Sequence, residues 1–258
     1  MPTIEANGLS IAYVEDGDGP PLVLLHGATG SGSTHFRPLL PALARTFRVL
    51  APDARGHGGT RWDPGDGFAA ADLVADLAAF ADAMRLTTFH LLGYSMGAMT
   101  ALAFATRWAA RLASLVIVSL APEREPRLSV GRRLMDPDRI VRDDPAWTRE
   151  LAALHDPVQG RGAWRRLLPA IVADVASQPL LTPAELRSIH APTLVVVGDR
   201  DPFVPVSQAA DLARQVRDGR LLVLPGVGHD AIRAAPPLLQ VALDRFHAGK
   251  APTTEVLR

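Results

Sequence analysis

A serine lies between two glycines at a point where a predicted strand turns directly into a predicted helix. Residues 89–92 form a short apolar run typical of a buried strand, and an alanine-rich helical pattern continues to residue 105. Between them, residues 93–97 read GYSMG and fit Gly-x-Ser-x-Gly. In a sharp strand-to-helix turn of this kind, glycines leave room where a Cβ would meet neighbouring backbone, and the serine hydroxyl is lifted clear of the sheet. The flanking elements favour this turn over the alternative, a glycine-rich helix start with Ser95 near its cap.

Short apolar runs recur along the chain and predict an α/β fold with a mostly parallel central sheet. Continuous runs rich in valine and leucine are typical of strands that are buried on both faces. Helical stretches, for example at 36–45 and 70–84, separate most of the runs, as expected for right-handed β-α-β units. We expect the first two runs to pair with each other. The predicted strands lie at residues 11–14, 22–25, 47–51, 89–92, 115–118, 193–197 and 221–224.

One long segment interrupts the alternation of strands and helices. Residues 121–190 contain no strand-like run, but their arginine, aspartate, tryptophan and proline residues stand in helical patterns. A structureless loop of that length would be unusual inside a compact domain. We therefore predict a core domain of residues 1–120 and 191–258, with residues 121–190 as a helical cap insertion over one end of the sheet. The polar tail at 251–258 is expected to fray.

Composition excludes several classes of protein. The chain has 258 residues, with 27 basic against 27 acidic side chains, so no global field favours nucleic acid or an anionic membrane as the main partner. It has no cysteine, which rules out disulfides, a thiol nucleophile and thiolate metal sites. We identify no signal peptide and no apolar run of about 18 residues, and therefore expect a cytoplasmic protein with a small-molecule partner. The sequence is compatible with a homo-oligomer.

A serine hydroxyl becomes an effective nucleophile only when a base takes its proton and a third group orients that base. On a strand–serine–helix turn of this kind, the expected chain order is serine, then an acid, then histidine. After the predicted strand 193–197 come two aspartates, Asp199 and Asp201. We prefer Asp201, which lies farther into the loop and precedes Pro202. Either residue could instead serve as a turn or helix-cap carboxylate.

His229 is the best candidate for the base. It lies in a glycine-rich loop after the last predicted strand, where its imidazole could reach Ser95. The other seven histidines have weaker positions, in a strand, at strand ends or beside helices. These are His26, His35, His57, His90, His155, His190 and His247.

Two backbone N–H groups are expected to stabilise a developing oxyanion. The first belongs to Met96, the residue after the candidate nucleophile, and the second to the loop that follows the strand 22–25, where we choose Ala28. The alternative for this loop, which reads HGATGSGS, is a phosphate cradle. It lacks both the Gly-Lys-Ser/Thr ending of a P-loop and the order G-x-G-x-x-G.

Taken together, these motifs resemble those of the α/β-hydrolases over nearly the whole chain. The resemblance rests on His26-Gly27, on PDARGHGGT at 52–60, on GYSMG, on GDRDPFVP at 198–205 and on GVGHD at 226–230. It implies a mostly parallel sheet with helices on both sides and a helical cap. It also implies a triad of Ser95, Asp201 and His229, with no cofactor and no metal.

The resemblance says less about the substrate than about the fold and the triad. Relatives include carboxylesterases, enol-lactonases, carbon–carbon bond hydrolases and cofactor-free haloperoxidases. Ser95 argues against dehalogenases and epoxide hydrolases of this fold, which use aspartate as nucleophile. Carbon–carbon hydrolases often have tryptophan directly after the histidine, whereas this chain has Asp230.

We therefore expect hydrolysis of a small ester, lactone or related carbonyl compound, and two alternatives stay open. One is a non-hydrolytic enzyme on the same scaffold, such as a perhydrolase, cyclase or lyase; the other is a ligand-binding receptor with slow turnover. The cap is expected to form the pocket, unless its apolar residues only pack the helices and its arginines are only solvated. Candidate pocket residues are Trp62, Tyr94, Trp147, Trp164, Leu167, Leu168 and Ile171, with Arg165 and Arg166 as partners for a substrate carboxylate.

Overall fold

An eight-stranded sheet forms the centre of the computed structural model, which describes residues 1–63, 65 and 67–248. The predicted polar tail at 251–258 lies outside the described residues. In space the strands follow the order β1-β2-β4-β3-β5-β6-β7-β8. Strands β3 to β8 are parallel, and β1 and β2 are antiparallel to their neighbours. The strands are β1 (Thr3–Ala6), β2 (Leu9–Asp16), β3 (Pro21–Leu25), β4 (Arg48–Pro52), β5 (Phe89–Tyr94), β6 (Leu112–Val118), β7 (Thr193–Gly198) and β8 (Gly219–Leu224).

The sheet confirms the predicted fold class, and each predicted strand lies at least largely within an observed one. The predicted pairing of the first two runs is wrong. β2 pairs antiparallel with β4, and β4 in turn pairs parallel with β3, so that β4 separates the two. The physical reason is that β3 is apolar on both faces and occupies the interior of the sheet, where it takes a parallel neighbour on each side, β4 and β5.

Helices cover both faces of this sheet. The helices are α1 (Gly32–Phe36), α2 (Leu40–Leu43), α3 (Ala70–Ala83), α4 (Met96–Arg107), α5 (Arg127–Leu134), α6 (Pro137–Asp143), α7 (Pro145–Gln159), α8 (Trp164–Ser177), α9 (Pro183–Arg187), α10 (Val206–Gln215), α11 (Ala231–Ala234) and α12 (Pro236–His247), with a 3-10 helix at Ala109–Arg111. The single helix predicted at 36–45 is wrong in extent. It is split into α1 and α2, because Pro38 lacks the N–H that a helix interior requires.

Side chains of the parallel strands alternate between two apolar layers. Leu91 packs into the layer under α3, α4 and α10, and the next residue, Leu92, packs into the layer under α1, α2, α11 and α12. Both residues are fully buried. This alternation is the two-residue period of a strand, and burial on both faces explains why the strands read as continuous apolar runs.

The segment between β6 and β7 is a helical insertion, as predicted. Helices α5 to α8 contact one another, and α6, α7 and α8 share a small apolar core that includes Ile140, Leu151, Trp164 and Leu168. Hydrogen bonds join the insertion to the rest of the chain. The Gln159 side-chain amide donates to the Thr60 carbonyl at 2.7 Å, and the Ala70 N–H donates to Asp174 Oδ1 at 2.9 Å. Its division from the core as a separate domain stays a prediction.

None of the helices in the described part of the chain is both long enough and apolar enough to cross a membrane.

Candidate active site

Ser95 occupies a strained turn between β5 and α4. Its backbone has φ 52° and ψ −111°, a conformation that residues other than glycine rarely adopt. A Cβ on Gly93 would overlap the carbonyl oxygen of Gly97, and a Cβ on Gly97 would overlap that of Leu25. Both glycines of the sequence motif are therefore required by close backbone packing. Such strain costs about 1–3 kcal/mol and persists only where the surrounding structure enforces it.

A continuous chain of hydrogen bonds runs from Ser95 through His229 to Asp201. Ser95 Oγ lies 2.9 Å from His229 Nε2, and His229 Nδ1 lies 2.9 and 3.0 Å from the two carboxylate oxygens of Asp201. An ionised carboxylate only accepts hydrogen bonds, so the imidazole proton belongs on Nδ1, and Nε2 is free to accept from the serine hydroxyl. The three residues come from the ends of β5, β7 and β8, which meet at one edge of the sheet.

The structure separates the two candidate acids. Asp201 has a completely buried side chain, and its Oδ1 also accepts the backbone N–H groups of Phe203 at 2.8 Å and Val204 at 3.2 Å. Asp199 instead accepts the N–H of Gly226 at 2.7 Å, and its carboxylate is 37% exposed. Asp199 thus ties together the loops after β7 and β8, and Asp201 contacts the imidazole.

Contacts from two further residues hold His229 in place. The hydroxyl of Ser119 donates to the carbonyl oxygen of His229 at 2.8 Å. The ring of Phe203 lies 4.2 Å from the imidazole, centroid to centroid. Ser119 follows β6 with a positive φ of 54°. Sequence reasoning did not find Ser119, because a serine one residue beyond a strand carries no pattern that singles it out.

The N–H groups of Ala28 and Met96 are available for a ligand. Both residues line the same pocket as Ser95. Within the described chain neither N–H donates a hydrogen bond to another residue, whereas the N–H of Gly97, one position along, donates to the His26 carbonyl at 3.1 Å. Met96 is the first residue of α4, so its N–H has no partner inside the helix and adds to the positive end of the helix dipole.

Four histidines pack together beneath this site. The rings of His26 and His57 are 4.9 Å apart, those of His57 and His155 are 5.5 Å apart, and those of His26 and His35 are 6.2 Å apart. We call these four residues the buried histidine cluster. Burial lowers the pKa of each to about 3, from the ordinary value of 6.5, so the cluster is neutral at pH 7.

The buried histidine cluster positions the loop that carries Ala28. His57 Nε2 lies 3.0 Å from the Ala28 carbonyl oxygen, and the N–H of Gly27 donates to His35 Nδ1 at 3.1 Å. From the insertion, His155 Nδ1 accepts the N–H of Gly58 at 3.2 Å. The described residues contain no group of histidine, aspartate and glutamate side chains arranged to hold a metal ion.

Ser95 opens onto a pocket between the sheet edge and the insertion. The space in this pocket that the centre of a water-sized sphere can occupy is about 60 Å³, and the whole recess, counted with its open mouth, is about 620 Å³. Its walls are mostly apolar, with Met99 and Phe203 on the core side and Leu128 and Ile171 on the insertion side. Such a lining, with a few polar groups, is typical of a small-molecule site.

Of the predicted pocket residues, Ile171 alone lines this pocket. Trp147, Trp164 and Leu168 belong to the core of the insertion, Trp62 and Leu167 line a separate small cleft, and Tyr94 is buried beside His229. Arg165 is exposed and pairs with Asp138, and Arg166 lies exposed at the small cleft.

The charged residues that do line the pocket are Arg127 and Asp174, which sequence reasoning did not single out.

Comparisons with known proteins agree with this architecture. Residues 22–242 match the model of the alpha/beta hydrolase family. The chain is 30% identical, over 87% of each protein, to a 2-hydroxy-6-oxo-2,4-heptadienoate hydrolase of Pseudomonas putida. It is 27% identical to a pyrrolizixenacetamide deacetylase of Xenorhabdus hominickii, over 84% of this chain and 87% of that protein.

A solved structure shows the same fold. The enol-lactonase from Burkholderia xenovorans LB400 superposes with a TM-score of 0.77 at 23% identity, over 96% of this chain and all of the enol-lactonase. The family match covers most of the chain, and it includes the turn at Ser95 and the loops of Asp201 and His229. The protein therefore belongs to the alpha/beta hydrolase family.

Proposed function

We propose that this protein is a serine hydrolase that transfers the acyl group of a small ester, lactone or related carbonyl compound to water. One observation carries the proposal. Ser95, His229 and Asp201 form an unbroken hydrogen-bonded chain whose serine end opens onto a mostly apolar pocket. This is the arrangement in which a base activates a serine and a buried carboxylate orients that base.

The reaction proceeds through an acyl-enzyme. Ser95 Oγ attacks the substrate carbonyl carbon while His229 Nε2 takes the hydroxyl proton. The Nδ1 proton stays hydrogen-bonded to Asp201, whose negative charge stabilises the imidazolium. His229 then gives its proton to the leaving group as the bond from the carbonyl carbon to that group breaks, which leaves the acyl-enzyme. In the second half of the reaction His229 takes a proton from the attacking water and returns it to Ser95 Oγ as the bond between Oγ and the acyl carbon breaks and the acid is released.

The N–H groups of Ala28 and Met96 receive the oxyanion in both steps. Each donor of this kind typically contributes about 2.7–4 kcal/mol to lowering the barrier. Because both belong to the backbone, their contribution depends on the position of the loop after β3 and of the first turn of α4, and not on which side chains these residues carry.

A second candidate function is hydrolysis of a carbon–carbon bond in a vinylogous diketone. The Pseudomonas putida relative favours it, since that protein is named as a heptadienoate hydrolase. Carbon–carbon hydrolases often have a tryptophan directly after the histidine, whereas this chain has Asp230. The Asp230 carboxylate pairs with Arg233 at 2.5 Å and caps α11. The same serine, histidine and oxyanion donors would serve either reaction.

Steady-state kinetics with short 4-nitrophenyl esters tests the proposal. We expect Ser95→Ala to lower kcat by at least ~10⁴-fold, and the matched control Ser207→Ala, on the exposed side of α10, to retain wild-type rates. Hydrolysis in ¹⁸O-labelled water should place the label in the acid product. Turnover by Ser95→Ala near the wild-type rate, or an acyl product without label, contradicts the proposal.

A further inference from the structure

A partly buried arginine forms part of the pocket wall. Arg127 is the first residue of α5 and lines the same pocket as Ser95 and the two oxyanion donors. Its Nε and Nη2 atoms are buried, and within the described chain neither donates a hydrogen bond. Leaving buried polar groups without partners is costly, and the cost is larger for a charged group. Two buried donors without partners on one guanidinium therefore call for an explanation.

The neighbouring charged groups do not satisfy these donors, and Glu123 Oε2 and Arg124 Nε are likewise buried without a hydrogen-bond partner in the described chain. Asp174 lies in the same wall, but its Oδ1 accepts the N–H of Ala70 at 2.9 Å. Arg124 directs its Nη2 at the carbonyl of Gln178, 2.8 Å away. Asp174 and Glu123 are near enough to favour the charged form of Arg127, and although burial lowers the pKa of Arg127 to about 10, the side chain is a cation at neutral pH.

The rest of the lining limits what Arg127 can recognise. Apart from Ser95, Arg127 and Asp174, the polar side chains in the wall are Thr100 and Gln178, and the Thr100 hydroxyl already donates to the Met96 carbonyl at 3.3 Å. A planar guanidinium with two unpaired, parallel N–H groups matches the paired oxygens of a carboxylate, as it does those of a phosphate. Among the described residues, Arg127 is the one cation in a mostly apolar wall, which suits the single charge of a carboxylate better than the double charge of a phosphate. A ligand carboxylate would satisfy both donors at once.

We propose that Arg127 binds a carboxylate of the substrate, so that the substrate is an ester, lactone or related carbonyl compound that carries an anionic carboxylate away from the scissile bond. The substrate class rests on the proposed function, whereas the carboxylate site does not depend on catalysis. In this role Arg127 is a specificity-determining residue, which contacts the substrate but takes no part in the proton transfers. Its charge is balanced in part by Asp174 while the pocket is empty.

Calorimetric binding to the inactive Ser95→Ala protein tests the proposal. The probes are monomethyl glutarate and 4-acetoxybutanoate, isomeric monoanions with the carboxylate on the acyl or the alcohol side, and neutral dimethyl glutarate. We expect at least one monoanion to bind ~10-fold more tightly than the diester. A hydrogen bond to a charged group typically raises the binding constant by about tenfold or more. Ser95→Ala/Arg127→Met should lose this preference, and Ser95→Ala/Arg127→Lys should retain part of it.

Arg165→Met in the same Ser95→Ala background is the matched control, since Arg165 lies in the insertion but not in the pocket wall. Thermal melting of each variant shows whether it is folded. Equal affinity for anionic and neutral probes, no saturable binding of either monoanion at millimolar concentration, or a preference that survives in folded Arg127→Met overturns the proposal. Arg127-dependent binding combined with a wild-type protein that hydrolyses no ester would support the carboxylate site and contradict the proposed function.

Discussion

Replacing Asp201 by asparagine should disable the site while leaving its shape intact. The asparagine oxygen can still accept the N–H groups of Phe203 and Val204, as Asp201 Oδ1 does now. The amide NH₂ then faces His229 Nδ1, which must give up its proton to accept that hydrogen bond. The imidazole proton moves to Nε2, where it points at Ser95 Oγ, and the base can no longer take the serine proton.

The size of the effect follows from the loss of the correct tautomer. A comparable change in a serine–histidine–aspartate site lowers kcat by about 10⁴-fold, which is about 5.4 kcal/mol of barrier at about 1.36 kcal/mol per factor of ten. We expect the same order here, because the Asp201 side chain is completely buried and water cannot replace its charge. Folding stability should change far less, since the amide keeps both backbone hydrogen bonds.

The assay is kcat/KM for a 4-nitrophenyl ester, with Asp199→Asn as the matched control. Asp199 accepts only the Gly226 N–H among the hydrogen bonds of the described chain, so its variant should stay within about threefold of wild type. An Asp201→Asn protein within tenfold of wild type, or an Asp199→Asn protein that falls as far as Asp201→Asn, would refute the reasoning.

Two further predictions concern the turn at Ser95 and the buried histidine cluster. Gly97→Ala should lower kcat/KM by more than ~10²-fold and also lower the melting temperature, because its Cβ would overlap the Leu25 carbonyl oxygen and displace the first turn of α4; wild-type kinetics would contradict this. Because folded histidines with a pKa of about 3 stay neutral while unfolded ones gain a proton near 6.5, the free energy of unfolding should fall as the pH drops from 6.5 towards 3. Between pH 7 and 5.5 the loss is about 1 kcal/mol per histidine; urea denaturation at the two values measures it, and equal stabilities would show that the cluster is already solvated.

The central sheet could be predicted from the sequence because burial on both faces leaves a local signal. Strands β3, β6 and β7 contain unbroken apolar runs at residues 22–25, 115–118 and 194–197. The signal fails at β1, because only one of its four residues, TIEA, is buried and the strand is too short to show a pattern. It also fails to fix neighbours, since the apolar runs of β2 and β3 do not reveal that β4 lies between them.

The residues of the hydrogen-bonded chain could be located because each follows a strand in a short loop. Carboxyl ends of parallel strands meet at one edge of a sheet, so chain order was enough to bring Ser95, Asp201 and His229 together. Their catalytic roles stay a prediction. The buried histidine cluster could not be foreseen, because its four members come from different loops and helices and meet only in three dimensions.

The pocket lining shows a different limit. Residues 164, 167, 168 and 171 form an apolar stripe at helical spacing, and all four are buried as that stripe predicts. Such a stripe indicates that the side chains are buried, but it does not indicate which helix or pocket they face. Trp164 and Leu168 pack against α6 and α7, and Ile171 reaches the pocket. For the same reason the sequence raised Arg165 and Arg166 only as candidate carboxylate partners, with solvated arginines as the alternative, whereas the cation in the wall is Arg127, on a different helix.

Intact-mass measurement after treatment with a fluorophosphonate tests most directly whether Ser95 is an activated nucleophile. The reagent phosphonylates a serine only when a base and oxyanion donors assist the attack. We predict one adduct on the wild-type protein and on the Ser207→Ala control, and none on folded Ser95→Ala. An unmodified wild-type protein that is folded, or an adduct that persists in Ser95→Ala, would contradict the account.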